Sequence, residues 1–62
     1  MTRAEKARVA ARLAAGLSVE AAARRARICP AYLRRVERHG RAPWILANRL
    51  SKLLNCSPRL FL

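Results

Sequence analysis

Carboxylates are almost missing from this sequence: Glu5, Glu20 and Glu37 are the only ones in 62 residues. Chemistry built on paired carboxylates, or on a nucleophile beside its base, has little to work with, and all three glutamates fall where a helix has structural use for them. Only two glycines occur, Gly16 and Gly40, so no glycine-rich loop exists to cradle a phosphate. No enzyme is expected. Two cysteines, Cys29 and Cys56, and one histidine, His39, are too few for a structural zinc site of Cys and His ligands within one chain, so no metal or other cofactor is expected. Both thiols are read as reduced, with a disulfide the minor alternative. One Trp, one Tyr and one Phe offer no stacking platform of the kind that single-strand readers use. No run of about eighteen apolar residues exists to span a membrane, and the N-terminal stretch lacks the apolar segment of a signal peptide. The expected location is the cytoplasm.

What is abundant is positive charge. Fourteen Lys and Arg against three acids leave a formal charge of +11, more than solubility requires, and this implies a polyanionic partner. Arginine outnumbers lysine 12 to 2, which suits bidentate contact to phosphate or guanine. A merely solvated surface and a GC-rich coding bias are the competing readings. A chain of this length buries roughly 60% of the surface its unfolded form exposes, so residues 1–62 are expected to form one domain of modest stability. No small-molecule ligand is expected, since there is no room for a separate effector domain.

Punctuation divides the chain into helices. Thr2 and Glu5 stand as a capping box, predicting a first helix from about Arg3 to Ala15 with Val9 and Leu13 as its buried stripe. Arg3, Lys6, Arg8 and Arg12 spread around the rest of its circumference. Gly16 suits the left-handed cap that stops this helix, and Ser18 the N-cap of the next. Val19, Ala22, Ala23 and Ala26 then fall three and four apart on one face. Pro30 suits the first turn of a third helix and biases Cys29 toward an extended cap geometry. Leu33 and Val36 turn inward, and Ala31, Arg34, Arg35 and Arg38 turn outward. Pro43 opens a fourth helix whose Trp44, Ile45, Leu46, Leu50, Leu53 and Leu54 should close the core. Asn55 ends it, and Ser57-Pro58 begin a last short turn toward Leu60, Phe61 and Leu62.

Arg12, Gly16, Leu17, Ser18, Ala22, Ala23, Leu33, Val36, Glu37 and Pro43, followed by Leu50, Leu54, Ser57 and Pro58, stand at the spacing typical of one family. The chain resembles the lambda-repressor-like helix-turn-helix proteins of the Cro/repressor or Xre type over most of its length. The resemblance implies an all-α, compact four- to five-helix DNA-binding domain, with the helix-turn-helix at helices two and three. There are departures. Arg27 stands where the family usually has a turn glycine, and Val19 where a polar residue touches phosphate. Cys29 replaces the usual Ser or Thr cap, and the glycine after Glu37 is displaced to give His39-Gly40.

In similar proteins the recognition helix lies in the major groove with its N-terminal half nearest the bases. Pro30, Ala31, Arg34 and Arg35 would then face base edges. Arg34 and Arg35 would pair with guanine O6 and N7, a contact worth roughly 1–3 kcal/mol of discrimination, and Ala31 would touch a thymine methyl. Ser18 with the free amides behind it, Arg38 and Arg41 are expected to hold phosphates. Tyr32 either offers its hydroxyl to a phosphate or packs as a half-buried aromatic. The resemblance further implies that Glu37 pairs with Arg12 and orients it toward a phosphate. It also implies a homodimer on a pseudo-palindromic operator, with Trp44, Leu60, Phe61 and Leu62 as the dimer surface. Leu60 and Phe61 have intramolecular core as their alternative. The function expected is a sequence-specific regulator of transcription that binds double-stranded DNA, a Cro-like repressor. The alternative is an antitoxin-type interaction module that also binds DNA.

Overall fold

The structure, a computed structural model, describes all of residues 1–62 and is entirely helical. Its elements are α1 (Arg3–Ala14), α2 (Val19–Ala26), α3 (Pro30–His39) and α4 (Trp44–Leu54), followed by a single 3₁₀ turn, Pro58–Phe61. No helix is long and apolar enough to cross a membrane.

Local chemistry sets most of the boundaries. Thr2 Oγ1 accepts from the Glu5 amide at 3.1 Å, and Ser18 Oγ accepts from the Ala21 amide at 3.1 Å, so each helix start loses one of its orphan donors. At the other ends, Leu17 N donates to the Arg12 carbonyl, Ile28 N to Ala23 and Cys56 N to Ser51. These are the long closing bonds of Schellman caps, and each needs one left-handed residue. Gly16 supplies it after α1, but Arg27 (φ 62°) and Asn55 (φ 54°) supply it after α2 and α4. Asparagine tolerates that region well; for Arg27 the conformation costs roughly 1–2 kcal/mol, which the capped carbonyls and the packing on both sides offset.

The core is built around α2. Ala22, Ala23 and Ala26 are fully buried, and their small side chains let α3 and α4 approach closely. Leu33 and Val36 come in from α3, Leu46, Ala47, Leu50 and Leu54 from α4, and Phe61 from the last turn. Phe61 and Leu50 have no exposed surface at all. Phe61 therefore belongs to the monomer's interior rather than to a dimer surface, and Leu60 packs half-buried beside it. Its position is locked by the Phe61 carbonyl, which accepts from the Ala42 amide at 2.8 Å. Removing so large a buried ring costs about 3–5 kcal/mol.

Two expected apolar faces are corrected. On α4 the inward positions are 46, 47, 50, 51 and 54, which throws Trp44 and Ile45 to the outside, 59% and 71% exposed. On α1 the inward face runs through Glu5, Arg8, Val9 and Arg12, at helical spacing i, i+3, i+4 and i+7. Leu13 falls to one side of that line and is 61% exposed. Helix α1 is thus held mainly by polar contacts.

Arginine makes those contacts. Arg12 Nε donates to Glu37 Oε2 at 2.7 Å, and its Nη1 donates to the Leu17 carbonyl at 3.0 Å. Arg8 Nε donates to the Leu60 carbonyl at 2.6 Å and its Nη1 to the Glu37 carbonyl at 2.7 Å. One side chain thereby ties α1 to the end of α3 and to the last turn, and places positive charge at a helix C-terminus, where the backbone dipole favours it. Gly40 follows from this arrangement. It closes α3 at φ 71°, and a Cβ there would land on the Arg8 guanidinium. With Gly40 as its C-cap, α3 runs to His39 before the chain turns into α4.

Candidate nucleic-acid interface

Helices α2 and α3 are joined by only three residues, Arg27–Cys29. Their buried sides meet through Ala22, Ala23, Ala26, Leu33 and Val36. With Leu33 and Val36 fixed inward, the α-helical period leaves Ala31, Arg34, Arg35 and Arg38 on the outer side, and all four are exposed. Arg35 and Arg38 have no hydrogen-bond partner or ion pair within the chain. Arg41, in the connection to α4, is also exposed, as is His39.

Arg34 is held from α2. Its Nη2 donates to Glu20 Oε2 at 2.9 Å across the two helices, with both side chains nearly 60% exposed. An ion pair so open to water contributes under ~1 kcal/mol of stability. Its consequence is geometric: the guanidinium of Arg34 is oriented from the first turn of α2, and the only carboxylate beside this cationic face is already occupied. Nothing in the sequence announces this pair, because its partners are fourteen residues apart on separate helices and neither is marked by local spacing.

The remaining expected site residues divide. Ser18 is exposed and uses its hydroxyl oxygen to cap α2. Pro30 opens α3, half-buried. Tyr32 packs half-buried against the core, which is the packing alternative of its two readings. Arg12 does pair with Glu37, and both side chains are at least nine-tenths buried. That burial argues against the phosphate contact expected of Arg12: two of its donors are spent internally and the group faces the protein. Trp44 and Leu62 remain exposed, Leu62 by 51%, so of the four residues expected at a dimer surface only these two lie open. The internal roles of Arg8 and of Arg49, whose Nη1 donates to the Ala26 carbonyl at 2.8 Å, were not anticipated. The one available signal was Arg8 lying four residues from Arg12, and therefore on its face.

Cys29 caps α3 without a side-chain hydrogen bond of standard geometry. Even so, the amides of Tyr32 and Ala31 that face its sulfur, with Arg34 nearby, draw the thiol below its ordinary range. Cys56, partly buried at the end of α4, is pushed the other way by desolvation. Both are free thiols, and no group of acidic, His and Cys side chains is placed to hold a metal ion.

No protein-family model matches the chain, and no curated protein and no solved structure matches it significantly.

Proposed function

We propose that this protein binds double-stranded DNA as a regulator of transcription, with α2 and α3 acting as a helix-turn-helix of the lambda-repressor-like kind and α3 entering the major groove. The observation that carries this reading is the division of α3 into two sides. Leu33 and Val36 are buried on one side, while Ala31, Arg34, Arg35 and Arg38 stand exposed on the other, joined by a tight turn to a helix that packs through alanines. An exposed helix carrying unpartnered guanidinium groups is the shape and charge that a major groove accepts. Arg34 and Arg35 read guanine edges, and Pro30 and Ala31 approach the bases. Arg38, Arg41 and the amide-rich start of α2 behind Ser18 grip phosphates. The chain's charge of +11 supplies the long-range attraction.

Selection from a pool of random duplexes tests the proposal. The expected result is an enriched motif containing guanine, bound with an affinity whose log–log salt slope is near −0.9 per phosphate contacted. Recovery of no motif, or a flat salt response, would overturn it. The same selection reads stoichiometry. A two-fold symmetric motif reports a pair of copies acting as a Cro-like repressor would; a single half-site reports one.

A further inference from the structure

We propose that the outer face of α4 is a docking surface for an acidic, amphipathic helix of another protein. This proposal stands on its own observations and holds whether or not α3 reads DNA.

With Leu46, Ala47, Leu50, Ser51 and Leu54 committed to the interior, the opposite side of α4 presents Trp44, Ile45, Asn48, Arg49 and Lys52. Together these line a shallow concavity of about 310 Å³. The two apolar residues sit at its N-terminal end and are more than half exposed; the two cations lie one to two turns further along. No carboxylate lines it. Arg49 lines the concavity with its Nη1 bonded to the Ala26 carbonyl, which limits how far its charge can move from this face. Large aromatic and arginine side chains grouped in a concavity are the residue types that dominate binding energy at protein interfaces.

The occupant must bring both negative charge and apolar surface. A second copy of this chain cannot complement the charge. Of its three side-chain carboxylates, Glu37 is buried against Arg12 and Glu20 is held by Arg34, leaving Glu5 alone to face Arg49 and Lys52 while a further +11 is brought alongside. A phosphate backbone would satisfy the cations but leave Ile45 and Trp44 against a charged, hydrated strand. An amphipathic helix with Leu or Ile at i, i+3, i+4 and i+7, flanked by Glu or Asp, supplies both halves in the register of the groove. The scale agrees. Eleven residues of α4 span about 16 Å, enough for about three turns of a partner helix. A face one helix wide and that long falls well short of the ~800 Å² that each partner of a stable dimer contributes.

Trp44 is the only tryptophan, so its emission reports on this face alone. The probe is a synthetic, tryptophan-free helical peptide of about four turns, with leucine at the i, i+3, i+4, i+7 positions and glutamate elsewhere. Titrated into the intact chain, it is expected to give a saturable blue shift. A peptide with lysine in place of every glutamate gives none. Lys52→Glu weakens the acidic peptide about tenfold, equivalent to 1.4 kcal/mol, and gains response to the basic one; Ile45→Ala weakens binding without reversing the charge preference. Both substitutions are at exposed positions, and circular dichroism checks that the variants keep their fold. No shift with the acidic peptide, or an equal shift with the basic one, overturns the proposal. A blue shift produced by raising the protein concentration alone would assign the face to a second copy, and one produced only by duplex DNA would assign it to nucleic acid; either result also overturns it.

Discussion

Helices α1 and α3 each carry two arginines four residues apart, Arg8 with Arg12 and Arg34 with Arg38, and the two pairs have opposite fates. On α1 they point inward, where Arg12 is only 9% exposed and Arg8 reaches two backbone carbonyls. On α3 they point outward. The difference lies in what each helix has to offer the core. Helix α3 buries Leu33 and Val36 and so can spare its arginines for solvent. Helix α1 brings only Val9 inward, and that partly buried, and the groove it closes is lined by oxygens: the Glu37 carboxylate and the carbonyls of Leu17, Glu37 and Leu60. A guanidinium, with five N–H donors in a planar fork, satisfies several such acceptors at once where an ammonium could not hold the same geometry. The same residue type therefore joins one helix to the fold and leaves the other available to a partner. Part of the charge that appears in the composition is not surface charge in function.

The largest test of that contrast is Arg12→Met, which keeps the length of the side chain and strands the buried Glu37 carboxylate. Breaking a buried pair from one side costs about 3–5 kcal/mol. A domain of this size has roughly 3–9 kcal/mol in total, so most or all of its stability should go. The double variant Arg12→Met with Glu37→Met should recover much of the loss, because a well-packed apolar pair replaces an expensive ionic one. Denaturant melts of the three proteins decide it. A loss under about 1 kcal/mol for the single variant would mean that water reaches the pair and that the two helices differ less than their geometry indicates.

The converse test lies on α3. Arg35→Ala and Arg38→Ala remove exposed, unpartnered side chains, so the melting midpoint should move by no more than the equivalent of about 0.5 kcal/mol. Affinity for duplex DNA should fall for both, in different ways. Arg38→Ala is expected to weaken binding about equally across sequences and to reduce the salt slope by about one phosphate, while Arg35→Ala relaxes selection at one base pair and costs about 1–3 kcal/mol on the preferred site. Filter binding at several salt concentrations separates the two. If either variant unfolds before it loses DNA, the cationic face of α3 is structural after all.

How much of this was legible in the sequence depends on how local the cause is. The caps at Ser18, Gly16, Pro30 and Asn55 are decided within a few residues, and the four helices and last turn fall where that chemistry predicts. Leu33, Val36 and the α2 alanines follow from the helical period alone. Orientation is not legible for helices whose pattern is ambiguous. Helix α4 is apolar nearly all round, so its period does not say that Trp44 and Ile45 face out. Of the α1 stripe, Val9 does face inward but Leu13 does not, because acceptors contributed by residues 17, 37 and 60 draw Arg8 and Arg12 to the inner side, and none of them is visible from α1 itself. Phe61 joins the core for an equally non-local reason, its carbonyl being anchored to Ala42. The Arg12–Glu37 pair was anticipated from family resemblance rather than from spacing. The fold was thus more legible than the site, since a site depends on which side chains meet across elements.

The smallest expected effect is at the seam between the two helices of the proposed interface. Glu20→Gln leaves the amide able to accept from Arg34 but removes the one negative charge beside that face. With both side chains nearly 60% exposed, the stability change should stay under ~1 kcal/mol. DNA binding should respond in two opposed ways. Affinity for random duplex should rise severalfold, because a charge that repels phosphate is gone. Discrimination between the selected site and random duplex should fall, because Arg34 loses the charged partner that orients its fork on the face proposed to meet the bases. Electrophoretic titration of the variant on both duplexes, beside the parent protein, gives the ratio directly. A rise on both by the same factor would leave Glu20 as a plain electrostatic brake. No change on either would put α2's first turn, and Arg34 with it, outside the DNA contact, confining the interface to the Arg35 and Arg38 side of α3.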